Sequence, residues 1–138
     1  MKQLLFIFLA LSPLLTCSSC QDDEDKLPGT KPEVLLGKWG NLTNVGAFLD
    51  NYIYETFEFT KTGGSIKQMK YFPEEDRYED YHASYFTDWS YDGNYIHFLY
   101  KKGGFINTWS QPVYKLTLEF LSLGTGQNNC TVYYKIQE

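Results

Sequence analysis

The chain has 138 residues and carries 12 basic against 17 acidic side chains, a net charge of −5 at neutral pH. Nucleic acids and anionic bilayer surfaces attract clusters of Lys and Arg, so neither is expected as a partner of the folded part of the chain. Aromatic residues make up 18% of the sequence. Such residues fit the pleated, half-buried surface of a sheet, so the composition favours an all-β protein.

The first 20 residues have the three parts of an export signal. Lys2 gives a positive start, an apolar run follows over residues 4–15, and small residues lead to Cys17 and Cys20. The apolar run is too short for a hydrocarbon core about 30 Å thick, which needs about 20 apolar residues. Residues 1–19 are therefore predicted to be a signal peptide rather than a retained transmembrane helix.

The segment that ends at Cys20 resembles a lipobox, in which a small residue precedes the Cys that becomes lipid-modified in bacterial lipoproteins. Cys20 is the predicted lipidation site, and Cys17 is the alternative. The acidic run at 21–25 resembles the export signal that sends Bacteroidetes lipoproteins to the outer face of the outer membrane. These resemblances imply a lipid-anchored protein of the cell outer membrane that faces outward, with a periplasm-facing lipoprotein as the alternative. Residues 20–33 are predicted to be an acidic flexible linker.

Turn signals recur at short intervals from residue 34 to the end of the chain. Gly, Asp and Asn cluster at 61–64, 92–94, 102–104 and 124–129, and each cluster predicts a hairpin turn. The segments between the turns predict strands at 37–42, 52–60, 65–72, 84–91, 95–101, 105–109, 113–116, 120–123 and 130–136. Eight or nine short strands at this spacing predict one all-β domain over residues 34–138, a sandwich or a barrel.

The segments around these strands carry three further expectations. Residues 45–51 are the one place for a short helical turn, and residues 73–82 are expected to form a long polar loop with five acidic side chains. Along strand 52–60, alternation places one set of side chains in the interior. That set is Ile53, Glu55, Phe57 and Phe59.

The start of the domain resembles the lipocalins. Gly37 and Trp39 form a G-x-W pattern, in which the Gly turns the chain and the Trp closes the base of a barrel. Residues 54–64 and 87–96 resemble segments of lipocalin-like lipoproteins from Bacteroidetes. The resemblance implies a single antiparallel up-and-down barrel of about eight strands. Lipocalins stack an Arg from the last strand on this Trp; here either Lys135 takes that place or the cap is purely apolar.

The sequence shows no catalytic or metal-binding pattern. Its two His residues, His82 and His97, lie in a chain without H-x-x-x-H, G-x-S-x-G or a phosphate-binding Gly-rich loop, and its C-x-x-C, Cys17 to Cys20, falls in the predicted signal and lipidation segment. No enzyme activity, metal or cofactor is therefore predicted. An enzyme would have to depend on His82 or His97.

The surplus of aromatic side chains is the strongest indication of function. Tyr and Trp stack on sugars or line apolar pockets, and ligand sites combine such walls with a few polar groups. The sequence therefore predicts non-enzymatic binding of a small apolar molecule or a glycan. The predicted ligand-binding residues are Trp89, Trp109, Tyr78, Tyr81, Tyr85 and the interior carboxylate of Glu55. The alternative is a protein-interaction module, an enzyme inhibitor or an accessory subunit of an envelope complex, acting through residues 73–82.

Overall fold

A computed structural model describes residues 26–44 and 52–137 of the chain. The described residues form strands and one short 3₁₀ helix, Glu33–Leu35, which confirms the all-β prediction. The strands are β1 (Gly37–Asn44), β2 (Tyr52–Phe59), β3 (Gly64–Phe72), β4 (Arg77–Phe86), β5 (Asp88–Tyr91), β6 (Tyr95–Lys102), β7 (Phe105–Leu116), β8 (Phe120–Gly126) and β9 (Asn129–Ile136).

Several predictions concern residues outside this range. The signal peptide, Cys17, Cys20 and the acidic run at 21–25 lie outside the described residues, as does the helical turn predicted at 45–51. Within residues 26–44 and 52–137, no helix is long and apolar enough to cross a bilayer.

The nine strands form one antiparallel sheet in the order β4-β3-β2-β1-β9-β8-β7-β6-β5. Its two outer strands, β4 and β5, are separated in the chain by Thr87 alone. Because β4 pairs with β3 and β5 pairs with β6, the chain bends at Thr87 and changes partner. The Thr87 N–H donates to the Leu99 carbonyl at 2.7 Å, and its hydroxyl accepts from the Lys101 N–H at 3.0 Å. The result is a barrel-like, up-and-down wall, although β4 and β5 share no ladder.

Three local predictions differ from the structure. Residues 73–82 are a tight turn followed by the first half of β4, because a strand exposed on both sides needs no apolar alternation. The predicted acidic loop 73–82, through which a protein-interaction module would act, is therefore part of the β3–β4 hairpin. The strand predicted at 84–91 is divided between β4 and β5, and those at 105–109 and 113–116 are joined in β7.

The core lies between opposite walls of the barrel. Phe57 and Phe59 are buried, as the alternation along β2 predicts. The Phe98 ring lies at the centre, with its centroid 6.3 Å from that of Phe57, 5.0 Å from Phe86 and 5.2 Å from Trp109. Aromatic side chains from β2, β4, β6 and β7 therefore fill this part of the interior.

The 3₁₀ helix and Trp39 close one end of the barrel, called the closed end below. Trp39 has no exposed surface, and its Nε1 donates to the Leu35 carbonyl at 2.9 Å. The Lys135 Nζ lies 4.5 Å from the centroid of the Trp39 ring and donates to the Leu36 carbonyl. Lys135 therefore stacks on the Trp as a cation. Gly37 has a φ of 108°, a left-handed conformation that favours glycine and lets the chain turn into β1.

The last part of the predicted linker 20–33 contacts the barrel. Thr30 and Tyr91 exchange backbone hydrogen bonds of 3.0 and 2.7 Å, and the Ser90 hydroxyl donates to the Pro28 carbonyl at 2.5 Å. These contacts cover part of the free edge of β5, where unpaired backbone groups would otherwise be exposed. The N-terminal segment therefore enters at the closed end, beside the turn between β5 and β6.

We expect Trp39→Ala to lower the free energy of unfolding by about 3–5 kcal/mol, because it leaves a large cavity in the closed end. The matched control is Phe105→Ala, since that ring is 61% exposed and surface changes stay within about 0.5 kcal/mol. Urea unfolding of both variants measures the difference, and equal stabilities would contradict the assigned role of Trp39.

Candidate functional site

Polar side chains line the inner wall of the barrel beyond the core. On paired strands, opposite residues share a face. Glu55 is opposite Asn41 on β1 and Gln68 on β3, two positions along β2 from the buried Phe57. All three polar side chains therefore face inward, at the end of the barrel away from Trp39. This end is called the open end.

Glu55 is held by two hydrogen bonds inside the barrel. The Gln68 Nε2 donates to Glu55 Oε2 at 2.5 Å, and the Tyr133 hydroxyl donates to Oε1. Burial, followed by the hydrogen bond to Glu55 and its charge, raises the pKa of Tyr133 well above its usual value. The phenol therefore stays protonated as a donor. Because a carboxylate accepts about four hydrogen bonds, Glu55 keeps acceptor capacity for a ligand.

Aromatic rings lie directly beneath this carboxylate. The Tyr133 ring meets the Phe57 ring edge-on at 5.1 Å, and Phe57 in turn contacts Phe98. Trp109 stacks on Phe98 with an interplanar angle of 11° and is only partly buried. Glu55 and Trp109, two of the predicted ligand-binding residues, are therefore joined by one continuous set of rings.

The open end is accessible to solvent. His82 pairs with Gln68, Asn107 pairs with Tyr100, and Thr131 pairs with the buried Leu123, so these side chains face inward. All three of the residues His82, Asn107 and Thr131 are nevertheless exposed. The inner surface of the open end is called the cup. Its members are Glu55, Gln68, His82, Asn107, Trp109, Thr131 and Tyr133.

The other predicted ligand-binding residues lie elsewhere. Trp89 has no exposed surface and donates from Nε1 to the Thr60 carbonyl at 2.7 Å, so it is a core residue with no surface to offer a ligand. Tyr81 and Tyr85 are exposed on β4 and line a surface hollow of about 280 Å³, which adjoins the cup because Gln68 and His82 line it too. Glu55 and Trp109 therefore face the same interior and are connected through Tyr133, Phe57 and Phe98, and the predicted set as a whole does not come together.

A second aromatic feature lies on the outer side of β2, β3 and β4. The ring centroids of Tyr52 and Tyr71 are 6.3 Å apart, and those of Tyr71 and Tyr78 are 4.8 Å apart. The Tyr78 centroid is also 5.6 Å from that of Tyr54. These four residues are called the tyrosine belt. Only Tyr78 was a sequence candidate. Alternation along β2 places Tyr52 and Tyr54 together, but the pairing with β3 and β4 that completes the belt has no local signal.

A hydrogen-bonded chain of Asp92, His97 and Ser110 lies on the outer face near the closed end. The His97 Nε2 is 2.7 Å from Asp92 Oδ2, and its Nδ1 is 2.6 Å from the Ser110 hydroxyl. In serine hydrolases the carboxylate binds Nδ1 and the serine lies at Nε2, the reverse of this order. Ser110 also lies on the outer surface of a sheet rather than in a cleft. The chain of contacts therefore links the β5–β6 turn to β7.

Comparisons with protein-family models, with curated proteins and with solved structures give no match for this chain. Among residues 26–44 and 52–137, no three His, Cys, Asp or Glu side chains come together as a metal site would require. The geometry of the cup and of the tyrosine belt therefore carries the functional inference.

We expect Asp92→Asn to lower the melting temperature near neutral pH and to have little effect near pH 2. The hydrogen bond with His97, followed by those from the N–H groups of Tyr95 and Asn94, lowers the pKa of Asp92 to about 2. An unfolded Asp has a pKa of about 3.9, so this stabilisation is present above pH 4 and is lost as the pH falls towards 2. Thermal unfolding of both proteins across this range measures it, and a difference that does not change with pH would contradict it.

Proposed function

We propose that this protein is a non-enzymatic, lipid-anchored binding protein of the outer membrane and that its cup receives part of a glycan. The observation that carries the proposal is the inward carboxylate of Glu55, which is oriented by Tyr133 and Gln68 above a set of aromatic rings. Ligand sites commonly combine apolar walls with a few fixed polar groups in the mouth of a barrel.

The packing of the interior favours a glycan over a small apolar molecule. The rings around Phe98 already occupy the apolar part of the barrel between its walls. What stays accessible is a mixed surface at the open end, which includes Glu55, the partly buried Trp109 and the exposed His82 and Asn107. A sugar suits such a surface, because it has hydroxyl groups for the polar side chains and C–H faces for the rings.

The position of the N-terminal segment supports an outward-facing cup. Lipidation at Cys20 would leave six peptide units before Lys26, which span at most about 20 Å. The chain from Pro28 onward is attached to β5 beside the closed end. An anchor at Cys20 would therefore keep the closed end near the membrane and leave the cup on the far side.

The Glu55→Gln variant tests the cup. We expect it to weaken glycan binding by roughly tenfold or more, because hydrogen bonds to a charged group contribute about 1.5–3 kcal/mol. The matched control is Glu58→Gln, since Glu58 lies on the same strand but on the outer face. Calorimetric titration with oligosaccharides selected on a glycan array measures the affinities.

Thermal unfolding of both variants shows whether the barrel is intact. Glycan binding that is equally strong in folded Glu55→Gln and in the wild type would contradict a role for the cup. An array on which no glycan is retained would contradict the proposed function as a whole.

Metabolic labelling with palmitate tests the anchor. We expect Cys20→Ala to remove the label and to release the protein from the membrane fraction, because the acyl chains would have no attachment site. Cys17→Ala is the control and is expected to keep the label. Labelling that survives in Cys20→Ala and disappears in Cys17→Ala would move the anchor to Cys17.

A further inference from the structure

The tyrosine belt depends on an irregularity in the pairing of β3 with β4. Gln68 pairs with His82, but the next residue, Met69, pairs with Asp80, so Tyr81 is an extra residue on β4. This bulge changes which side chains of β4 face outward. Without it, Tyr71 would be opposite Glu79 and Tyr78 would point to the inner side.

With the bulge, Tyr78 is opposite Tyr71 on the outer face, and their ring centroids are 4.8 Å apart. Tyr52 is opposite Tyr71 on the other side, so the rings continue onto β2. One inserted residue therefore produces a continuous outward-facing row of four phenol rings.

The belt is amphipathic and lies near the open end. Each of its four rings carries a hydroxyl that can donate and accept hydrogen bonds. The Tyr71 hydroxyl donates to Asp76 Oδ1 at 3.0 Å, and Asp76 belongs to the turn between β3 and β4 at the rim. Tyr78 is 50% exposed. In contrast, the aromatic residues of the buried core are mainly Phe and Trp, which do not offer a hydroxyl.

The size and position of the belt favour a narrow polar chain as its occupant. Neighbouring strands are about 4.8 Å apart, so the belt extends over only about 10 Å from β2 to β4. A stable protein interface buries about 800 Å² on each partner and has few charges at its centre, whereas the Asp76 carboxylate contacts the Tyr71 hydroxyl of the belt directly. A bilayer is also a poor candidate, because the N-terminal segment enters at the opposite end.

We propose that the tyrosine belt is a second carbohydrate subsite, which holds sugar units that continue from the cup over the rim of the β3–β4 turn. Glu55 and Tyr54 are neighbours on β2 and face opposite sides of the same wall. One extended glycan therefore contacts both sites, and the ligand is a polymer of several sugar units. The cup part of this inference rests on the proposed function, whereas the belt is testable without it.

The test compares binding of oligosaccharides of increasing length. The probes are malto-, cello-, xylo- and manno-oligosaccharides from the monosaccharide to the octasaccharide, titrated into the folded protein by calorimetry. We expect the wild type to bind longer members of one series more tightly than shorter members. The double variant Tyr71→Ala/Tyr78→Ala is expected to lose this increase, so that it binds the longest members about tenfold more weakly than the wild type does. It is expected to bind the shortest members as tightly as the wild type does.

Two further variants separate stacking from a general surface effect. Tyr71→Phe/Tyr78→Phe keeps the rings and is expected to keep most of the increase with length. Tyr114→Ala/Tyr134→Ala removes two exposed rings from another part of the wall, on β7 and β9, and is expected to bind as the wild type does. If the Tyr71→Ala/Tyr78→Ala protein does not fold, the single variant Tyr78→Ala, at a half-exposed position, replaces it.

The outcomes distinguish the belt from the cup. If the affinity of the folded belt variants still increases with oligosaccharide length, the belt is not a subsite, and the proposal for the cup is unaffected. If the Glu55→Gln protein shows the belt-dependent increase and also binds the shortest members as tightly as the wild type, the belt is supported and the cup is contradicted. The carbohydrate subsite is overturned if the wild type binds no oligosaccharide of any series. It is also overturned if the wild type and the control variants bind a protein partner that the belt variants do not bind.

Discussion

The enclosure of Trp39 at the closed end is the contact on which the rest of the structure depends. It brings together the 3₁₀ helix, through the Leu35 carbonyl, and the last strand, through Lys135. The pairing of β9 with β1 returns the chain to its first strand, and this return converts a row of hairpins into a barrel-like wall. A wall of this kind has an inside and an outside, so each strand carries two sets of side chains with different roles.

Two irregularities in the wall decide where the candidate sites lie. The bend at Thr87 lets one strand pair with β3 in its first part and with β6 in its second part. The bulge at Tyr81 exchanges the inner and outer faces for the β4 residues that precede it, and it places Tyr78 beside Tyr71. The cup and the tyrosine belt share β2, β3 and β4 and lie on opposite sides of that part of the wall, and the cup also includes residues of β7 and β9. Their shared rim at the β3–β4 turn is the physical reason for the proposal that one ligand contacts both.

Much of the fold could be predicted from local patterns, and the site only in part. Alternation along β2 predicts the inward direction of Glu55 and Phe57, because the side-chain period of a strand is two. It does not say that Tyr133, which is 78 residues away from Glu55, supplies the hydrogen bond. The prediction of a loop at 73–82 is wrong because its charges indicate solvent exposure, and an exposed strand has the same composition as a loop.

The closing role of Gly37 and Trp39 was an expectation from their resemblance to the lipocalin G-x-W pattern. The sequence alone determined the strand-rich composition, the turns and the inner face of β2. Each of these follows from short-range chemistry: the conformational freedom of Gly, the shape of aromatic side chains and the alternation of a pleated strand. Tertiary structure alone decided that Trp89 is buried, that Glu55 meets Tyr133 and Gln68, and that four tyrosines form a belt. These depend on register between strands that are distant in the chain, and a shift of one residue moves a side chain to the opposite face.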